Sequence, residues 1–292
     1  MLYERIAVLT GICAAITAVF GASAGSWNSE AREGIHHTFS SDKSGAKSLD
    51  VDDVDGSVQV VGDSGKTIRV EGEKIIRGVD QNAIERAKKE ITLDVNEKDG
   101  VAQLYVNGPF RDHDRASQDH GFHIHFDGHE YEVTYNFTIH VPHDTELRLH
   151  TVNGEIRADA TNGKFDVRNV NGGIAMTGMA GAGTARTVNG KTTVSFRENP
   201  KAASDFQSVN GPVDVTFQPG LNADLHFMTM NGAAYTDFDV TSVASTAPLP
   251  LRRDGGFVFR SRPGGSVRAG SGGPALDFRT VNGDIRIRKQ GN

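Results

Sequence analysis

Five of the eleven histidines lie within one short stretch. His113, His120, His123, His125 and His129 are interleaved with Asp112, Asp114, Asp119, Asp127 and Glu130. Imidazole and carboxylate are the donors that suit zinc, copper or nickel. On an extended chain His123 and His125 share a face, so His120, His123, His125 and His129 form a candidate ligand set for a divalent transition metal. The alternative is a solvated polar insertion of biased composition with no fixed geometry. His129-Glu130 is not part of a His-Glu-x-x-His helix, since no second histidine stands at the required spacing.

Other chemistry-bearing groups are weaker. Asp237 and Asp239 flank Phe238, and two outward carboxylates on one strand are what a polysaccharide-cleaving β-helix uses. Such a cleft also needs aromatic platforms, and the single tryptophan, Trp27, precedes the region concerned. Gly62-Asp63-Ser64-Gly65 has the look of a serine-nucleophile segment, but a triad needs a histidine and an aspartate held in reach, and the segment falls where a turn is expected. The glycine clusters over 178–183 and 264–273 lack the strand, turn and helix context of a phosphate loop. Arg168, Arg186 and Arg279 each lie three residues before an asparagine of the repeat described next. Stacked, they would form a cationic row for anionic glycans or headgroups; the alternative is ordinary screening of a sheet face.

The element that must position all of these is a recurring tetrapeptide. It reads T-V-N-G at Thr151–Gly154, N-V-N-G at Asn169–Gly172 and T-V-N-G at Thr187–Gly190. It returns as S-V-N-G at Ser208–Gly211, T-M-N-G at Thr229–Gly232 and T-V-N-G at Thr280–Gly283. Self-similarity at a near-constant period means one supersecondary unit stacked on itself.

Asn-Gly between apolar runs usually signals a two-residue hairpin. A hairpin requires the residues flanking the turn to pair on one side, and here Val152, Val170, Val188, Val209, Met230 and Val281 would face Glu155, Gly173, Lys191, Pro212, Ala233 and Asp284. The apolar residues instead lie three and five after the asparagine: Ile156/Ala158, Ile174/Met176, Val213/Val215 and Ile285/Ile287. Nine residues before each asparagine another turn-like site obeys the same rule: Asp144 leads to Leu147/Leu149, Asn162 to Phe165/Val167, Asn222 to Leu225/Phe227 and Gly273 to Leu276/Phe278. Strand, corner, strand, corner in constant register predicts an all-β chain, a parallel β-solenoid or β-helix of nine-residue half-repeats, 18–21 residues per full turn. Asn153, Asn171, Asn189, Asn210, Asn231 and Asn282 should then stack and bond amide to amide, while Gly154, Gly172, Gly190, Gly211, Gly232 and Gly283 supply positive φ at the corners.

Outside the repeat, residues 1–24 read as a secretory signal peptide, with a mostly apolar stretch from Ile6 to Phe20 and Ala22-Ser23-Ala24 at the cleavage site. No transmembrane span is expected after its removal, which also removes the only cysteine, Cys13. Residues 25–46 read as a linker, 47–143 as an N-terminal β region with one short helix and the histidine-rich loop, and 144–289 as the repeat. In the N-terminal region Leu49/Val51, Val58/Val60 and Ile68/Val70 continue the alternation with Asp55-Gly56 and Ser64-Gly65 at corners, Asp80 caps a helix over Gln81–Glu90, and Ile91–Val95, Val101–Val106 and Tyr131–Val141 are strands. That helix is expected to cap the open end of the stack. The gap between Asn231 and Asn282 is expected to hold an excursion, with a strand at Phe257–Arg260, before a last turn of the repeat. A net charge of −6 leaves no basic surplus for nucleic acid, and 34 glycines with 7% aromatics suit a turn-dense β protein.

These residues resemble a bacterial family of unknown function labelled "putative adhesin". The likeness rests on a secreted leader, early strands such as Gly56–Val60, a short helix, a strand ending in Val-Pro (Tyr135–Pro142), and T-V-N-G-[DE]-I at Thr151–Ile156 and Thr280–Ile285. It covers roughly Lys47 to Lys289 and implies a β-solenoid-like fold in the cell envelope, with no catalytic residues to carry over. The expectation is therefore a secreted, non-enzymatic scaffold or binding surface of the periplasm or envelope, whose partner is an envelope glycan or another envelope protein. A β-helix carbohydrate-active enzyme and a metal-binding periplasmic protein remain the alternatives.

Overall fold

The computed structural model describes residues 27–39, 47–111, 130–242, 251–253, 256–260 and 265–291. The described residues are all-β apart from one helix. In order it runs β1 (Ser29–Phe39), β2 (Ser48–Asp52), β3 (Val58–Asp63), β4 (Ile68–Gly78), α1 (Gln81–Glu90), β5 (Thr92–Lys98), β6 (Val101–Asn107) and β7 (Tyr131–Pro142). The repeat region follows with β8 (Glu146–Asn153), β9 (Ile156–Asp159), β10 (Phe165–Asn171), β11 (Ile174–Met179), β12 (Gly183–Asn189), β13 (Thr192–Phe196), β14 (Ser204–Asn210) and β15 (Val213–Phe217). It closes with β16 (Ala223–Asn231), β17 (Ala233–Thr236), β18 (Val240–Ser242), β19 (Leu251–Arg253), β20 (Gly256–Arg260), β21 (Gly265–Ala269), β22 (Ala275–Asn282) and β23 (Ile285–Lys289).

These strands form two mixed sheets. The twelve-stranded sheet has the order β1-β4-β7-β3-β9-β11-β13-β15-β23-β17-β20-β19, and the eleven-stranded sheet the order β18-β21-β16-β22-β14-β12-β10-β8-β2-β6-β5. Every Asn-Gly pair of the repeat is a corner between them: β8 enters from one sheet and β9 leaves in the other. Neighbours of the two strands at a corner are therefore different strands, which is why the hairpin phase fails. One such pair of strands with its corner is called a rung below. Successive rungs pair in parallel and in register, so that Phe165 lies between Leu147 and Gly183, and Val213 between Thr192 and Ile285.

The inward residues follow the +3/+5 rule. Ile156, Ala158, Ile174, Met176, Val213, Val215, Ile285 and Ile287 are all buried, as are Leu147, Leu149, Phe165, Val167, Leu225, Phe227, Leu276 and Phe278. They join one core with the N-terminal region. At its middle, Phe196 stacks on Phe217 (5.1 Å between centroids) and Phe206 on Phe278 (5.4 Å), with edge contacts between the pairs at 6.0 and 6.2 Å. Each such contact adds about 0.5–1.5 kcal/mol beyond the area it buries.

Three features differ from the expectation. The stretch 25–46, read as a linker, carries the eleven-residue strand β1, paired antiparallel along its whole length with β4. Its own residues give little strand signal (Arg32, Glu33, Gly34, His36), so the partner strand dictates its conformation. The rung formed by β22 and β23 is last in sequence but not in space: it lies between the β14–β15 rung and the β16–β17 rung. The chain therefore leaves one strand position open between Phe217 and Ala223, makes the β18–β21 excursion, and returns to fill it. Finally, α1 does not cover a sheet edge. Ile84 and Ala87 pack on Ile76, with Ala31, Tyr131 and Val133 around them, on the overhanging ends of β1, β4 and β7. Asp80 accepts a hydrogen bond from the Ala83 N–H at 2.8 Å and so caps the helix as its residue type predicts. Among the described residues no helix is long and apolar enough to cross a membrane.

Candidate functional site

The corner edge carries three columns that run from rung to rung. In the first, each asparagine donates its Nδ2 to the Oδ1 of the rung before it: Asn171 to Asn153 at 2.9 Å, Asn189 to Asn171 and Asn210 to Asn189 at 2.8 Å, then Asn282 to Asn210 and Asn231 to Asn282 at 2.7 Å. All amides point the same way, and the spatial order places Asn282 before Asn231. The column begins on a carboxylate: Asn153 donates to Asp55 Oδ1 at 2.5 Å, and Asp55 bridges Asn153 in parallel. Asp53-Val54-Asp55-Gly56 is thus a further copy of the corner with acids in place of threonine and asparagine. Its retained valine and glycine were the sequence signal for it.

The second column is the polar residue two before each asparagine, which points inward. Asn169 Nδ2 donates to Gly154 O at 2.7 Å, Thr187 Oγ1 to Gly172 O and Ser208 Oγ to Gly190 O at 2.8 Å, and Thr280 and Thr229 to Gly211 O and Gly283 O at 2.9 Å. All five are buried. Thr151 is also buried, but its hydroxyl has no partner among the described residues. The sequence reading passed over this position, although a hydrogen-bonding side chain recurs there at every corner. The residue between the two columns turns outward along the repeat, with Val188 39% exposed and Met230 65%, although Val152 at its first corner is buried.

The third column is glycine, and its reason is contact more than φ. Among the repeat corners Gly154, Gly172, Gly190 and Gly211 have positive φ, but Gly232 and Gly283 do not. What all six share is that a Cβ would fall within 1.7–2.3 Å of the preceding rung's glycine carbonyl oxygen. The backbones meet there, and each of Gly154, Gly172, Gly190, Gly211 and Gly283 donates its N–H to the asparagine carbonyl of the following rung.

The acidic start of the edge is electrostatically distinct. Asp53 is fully buried; one oxygen accepts from the Val54 N–H at 2.8 Å and the other has no partner among the described residues. Burial drives its carboxyl well above the usual 3.8, the Val54 N–H opposes this, and the charges of Asp55 and Asp52 add to the rise. Burial also raises Asp55, against the lowering by the Asn153 amide. Asp52 faces outward and differs. Burial pushes it up, but hydrogen bonds from His150 and Arg111 outweigh that and hold it below the ordinary carboxylate value. Arg111 grips it in a fork at 3.0 Å on each oxygen, with its guanidinium 4.3 Å from the Tyr105 ring centroid.

On the outer face of the eleven-stranded sheet Arg168 and Arg186 are register neighbours, and Arg279 lies two strands further on beyond Gln207. None presents an unneutralised charge: Arg168 bridges Asp166 at 2.9 Å, Arg186 bridges Asp205 at 3.0 Å, and Arg279 lies between Asp205 and Asp277 at 3.6 and 3.4 Å. The row is screening of a charged sheet face. Among the described residues three of the four exposed large apolar side chains, Met228, Met230 and Tyr235, sit on the β16–β17 rung, with the Arg286 guanidinium 5.8 Å from the Tyr235 ring.

Asp237 and Asp239 are exposed on either side of buried Phe238, but Asp237 Oδ2 accepts the backbone N–H of Lys289 at 3.1 Å and ties down the C-terminal strand. In Gly62-Asp63-Ser64-Gly65 the aspartate accepts the Gly65 N–H at 2.7 Å and pairs with Arg69 at 2.7 Å, which makes it a turn. His120, His123, His125 and His129 lie outside the described residues. Among the described residues no group of three or more His, Cys, Asp or Glu is placed to hold a metal.

No protein-family model matches the sequence, and no curated protein does. Two solved structures are similar. One is described as a putative cell adhesion protein from Clostridium sporogenes, with 12% identity, a TM-score of 0.43, and coverage of 88% of this chain and 100% of the other. The second is described as a putative adhesin from Bacteroides fragilis, with 12% identity, a TM-score of 0.35, and coverage of 88% and 97%.

Proposed function

We propose that the chain is a non-enzymatic binding scaffold of the cell envelope, a β-solenoid of nine-residue half-repeats that presents its outer surface to an envelope glycan or another envelope protein. One observation carries this reading: three hydrogen-bond and contact columns lock the rungs in register, so outward side chains stand on a fixed lattice with rows about 4.8 Å apart. Repeat surfaces of this kind bind through extended contacts and need no single reactive residue. The exposed Met228, Met230 and Tyr235 rung is the part of that surface whose burial would contribute most.

The test uses the chain from residue 25 onward on glycan arrays and in envelope pull-downs, each captured partner being purified and its affinity measured directly. The variant Met228→Glu/Met230→Glu/Tyr235→Glu should lose binding while its melting temperature is unchanged. Failure of the unaltered chain to retain any glycan or envelope protein overturns the proposal. Zinc calorimetry on the same chain with and without residues 112–129 decides the metal-binding alternative.

A further inference from the structure

Asparagine followed by glycine carries a latent reaction. The glycine amide nitrogen, unshielded by a side chain, gives up its proton to water and attacks the asparagine Cγ. The bond from Cγ to Nδ2 breaks, Nδ2 leaves as ammonia, and a cyclic imide forms. Water then opens the ring at either carbonyl and leaves aspartate or isoaspartate. The net change is amide plus water to carboxylate plus ammonium. The reaction needs a free glycine N–H, a side chain able to rotate towards it, and water to solvate the developing oxyanion.

This chain has eight Asn-Gly pairs, and the fold treats them unequally. At Asn153, Asn171, Asn189, Asn210 and Asn282 the side chain both donates to one neighbour and accepts from the next. The glycine that follows each of them has its N–H bonded to the carbonyl of the next asparagine. Both the nucleophile and the target are tied. Two pairs lie off the column. Gly108 after Asn107 is buried, and Asn162 donates to Asp144 at 2.8 Å while its Oδ1 is shut off from solvent.

Asn231-Gly232 is the end of the column. Asn231 donates to Asn282 at 2.7 Å, but among the described residues nothing donates to its Oδ1 and nothing accepts the Gly232 N–H. Both residues are exposed. We propose that Asn231 is a self-modification site: in the folded protein it converts to aspartate or isoaspartate while the five interior corner asparagines are held back by the stack and the two off-column pairs by burial. The product cannot donate to Asn282 Oδ1. It sets a carboxylate against that oxygen and adds a negative charge beside Met230, on the rung that also exposes Met228 and Tyr235.

The experiment is peptide mapping by mass spectrometry after incubation of the intact folded chain at mildly alkaline pH in heavy-oxygen water, which labels each amide-to-acid exchange. Modification at Asn231 should outpace every other Asn-Gly pair by about tenfold or more, since the tied corners react only when the stack opens locally. In denaturant the eight rates should converge. Asn231→Gln should abolish the fast phase without altering the melt, and Asn231→Asp, which mimics one product, should lower the melting temperature relative to that variant. Equal folded-state rates at Asn231 and an interior corner such as Asn189, or a faster interior corner, would overturn the proposal.

Discussion

Thr151 and Thr187 occupy the same place in the same tetrapeptide, yet their replacement by valine should act in opposite directions. Thr187 is 3% exposed and its Oγ1 donates to Gly172 O at 2.8 Å. That carbonyl is roofed by the next rung, where a Gly190 Cβ would lie 2.2 Å away, so water has little access once the hydroxyl is gone. Valine keeps the shape and removes the donor, leaving a buried acceptor unmade at a cost of about 1–3 kcal/mol. Thr151 is fully buried and its hydroxyl has no partner among the described residues. Valine there removes a desolvated polar group and loses no bond, so stability should be unchanged or rise by up to about 1 kcal/mol. The assay is urea unfolding at equilibrium, with the midpoint compared at constant m-value. Heating gives a parallel reading, since about 1 kcal/mol moves the midpoint by about 2–4 °C in a chain of this size. Thr280→Val should follow Thr187→Val, because Thr280 donates to Gly211 O at 2.9 Å. A Thr151→Val loss as large as that of Thr187→Val would refute the reasoning, for it would mean that shape alone, and not the hydroxyl column, sets the energy.

Two further outcomes follow from the same edge. Asp53 has a folded-state carboxyl raised well above 3.8 by burial, so its contribution is fully present below the unfolded value and is lost as pH rises through the folded one. Asp53→Asn should therefore be more stable than the unaltered chain at neutral pH, and urea midpoints should show that advantage shrinking to nothing on acidification below 3.8. Gly172→Ala puts a methyl group 1.7 Å from Gly154 O, a backbone atom that cannot yield without parting two rungs. It should cost about 3 kcal/mol or more, whereas Gly100→Ala, with open space around its Cβ and only φ of +76° to oppose it, should cost about 1–2 kcal/mol; thermal melts of the two variants make the comparison.

What could be read before the structure was what local chemistry encodes. The +3/+5 burial rule, the helix over Gln81–Glu90 with its Asp80 cap, and the strand near Phe257 depend on residue types a few positions apart, and the sequence displays them directly. The repeat spacing also announced that asparagines would meet. What stayed hidden depends on partners far along the chain. β1 is a strand because β4 holds it, and nothing between Ser29 and Phe39 declares this. Asp55-Gly56 reads as a corner from its residue types, but the acids at Asp53 and Asp55 mask that it begins the same columns as Thr151 and Asn153. A lone glycine suggests positive φ, which four of the six corners have, but the contact all six share is with a neighbouring rung that no single repeat contains.

The position of the β22–β23 rung shows why spatial order matters as much as pattern. Stacked parallel strands leave an unpaired edge at each end, and such an edge invites another chain. Had the rungs followed sequence order, the chain would end on an open parallel edge at β22 and β23. Instead those strands are inserted between two earlier rungs, and the end rung is covered by antiparallel strands, β21 on β16 and β20 on β17. The opposite end is closed in the same manner, with β5 antiparallel to β6 and β4 antiparallel to both β7 and β1. At both ends, then, parallel stacking gives way to antiparallel pairing, which breaks the register an incoming copy of the repeat would need. The column of amides has its own terminations, a carboxylate at Asp55 and an open acceptor at Asn231. At that second end β21 covers β16 only as far as Phe227 and, among the described residues, leaves the corner without a partner, so Asn231 is where the repeat meets solvent chemistry.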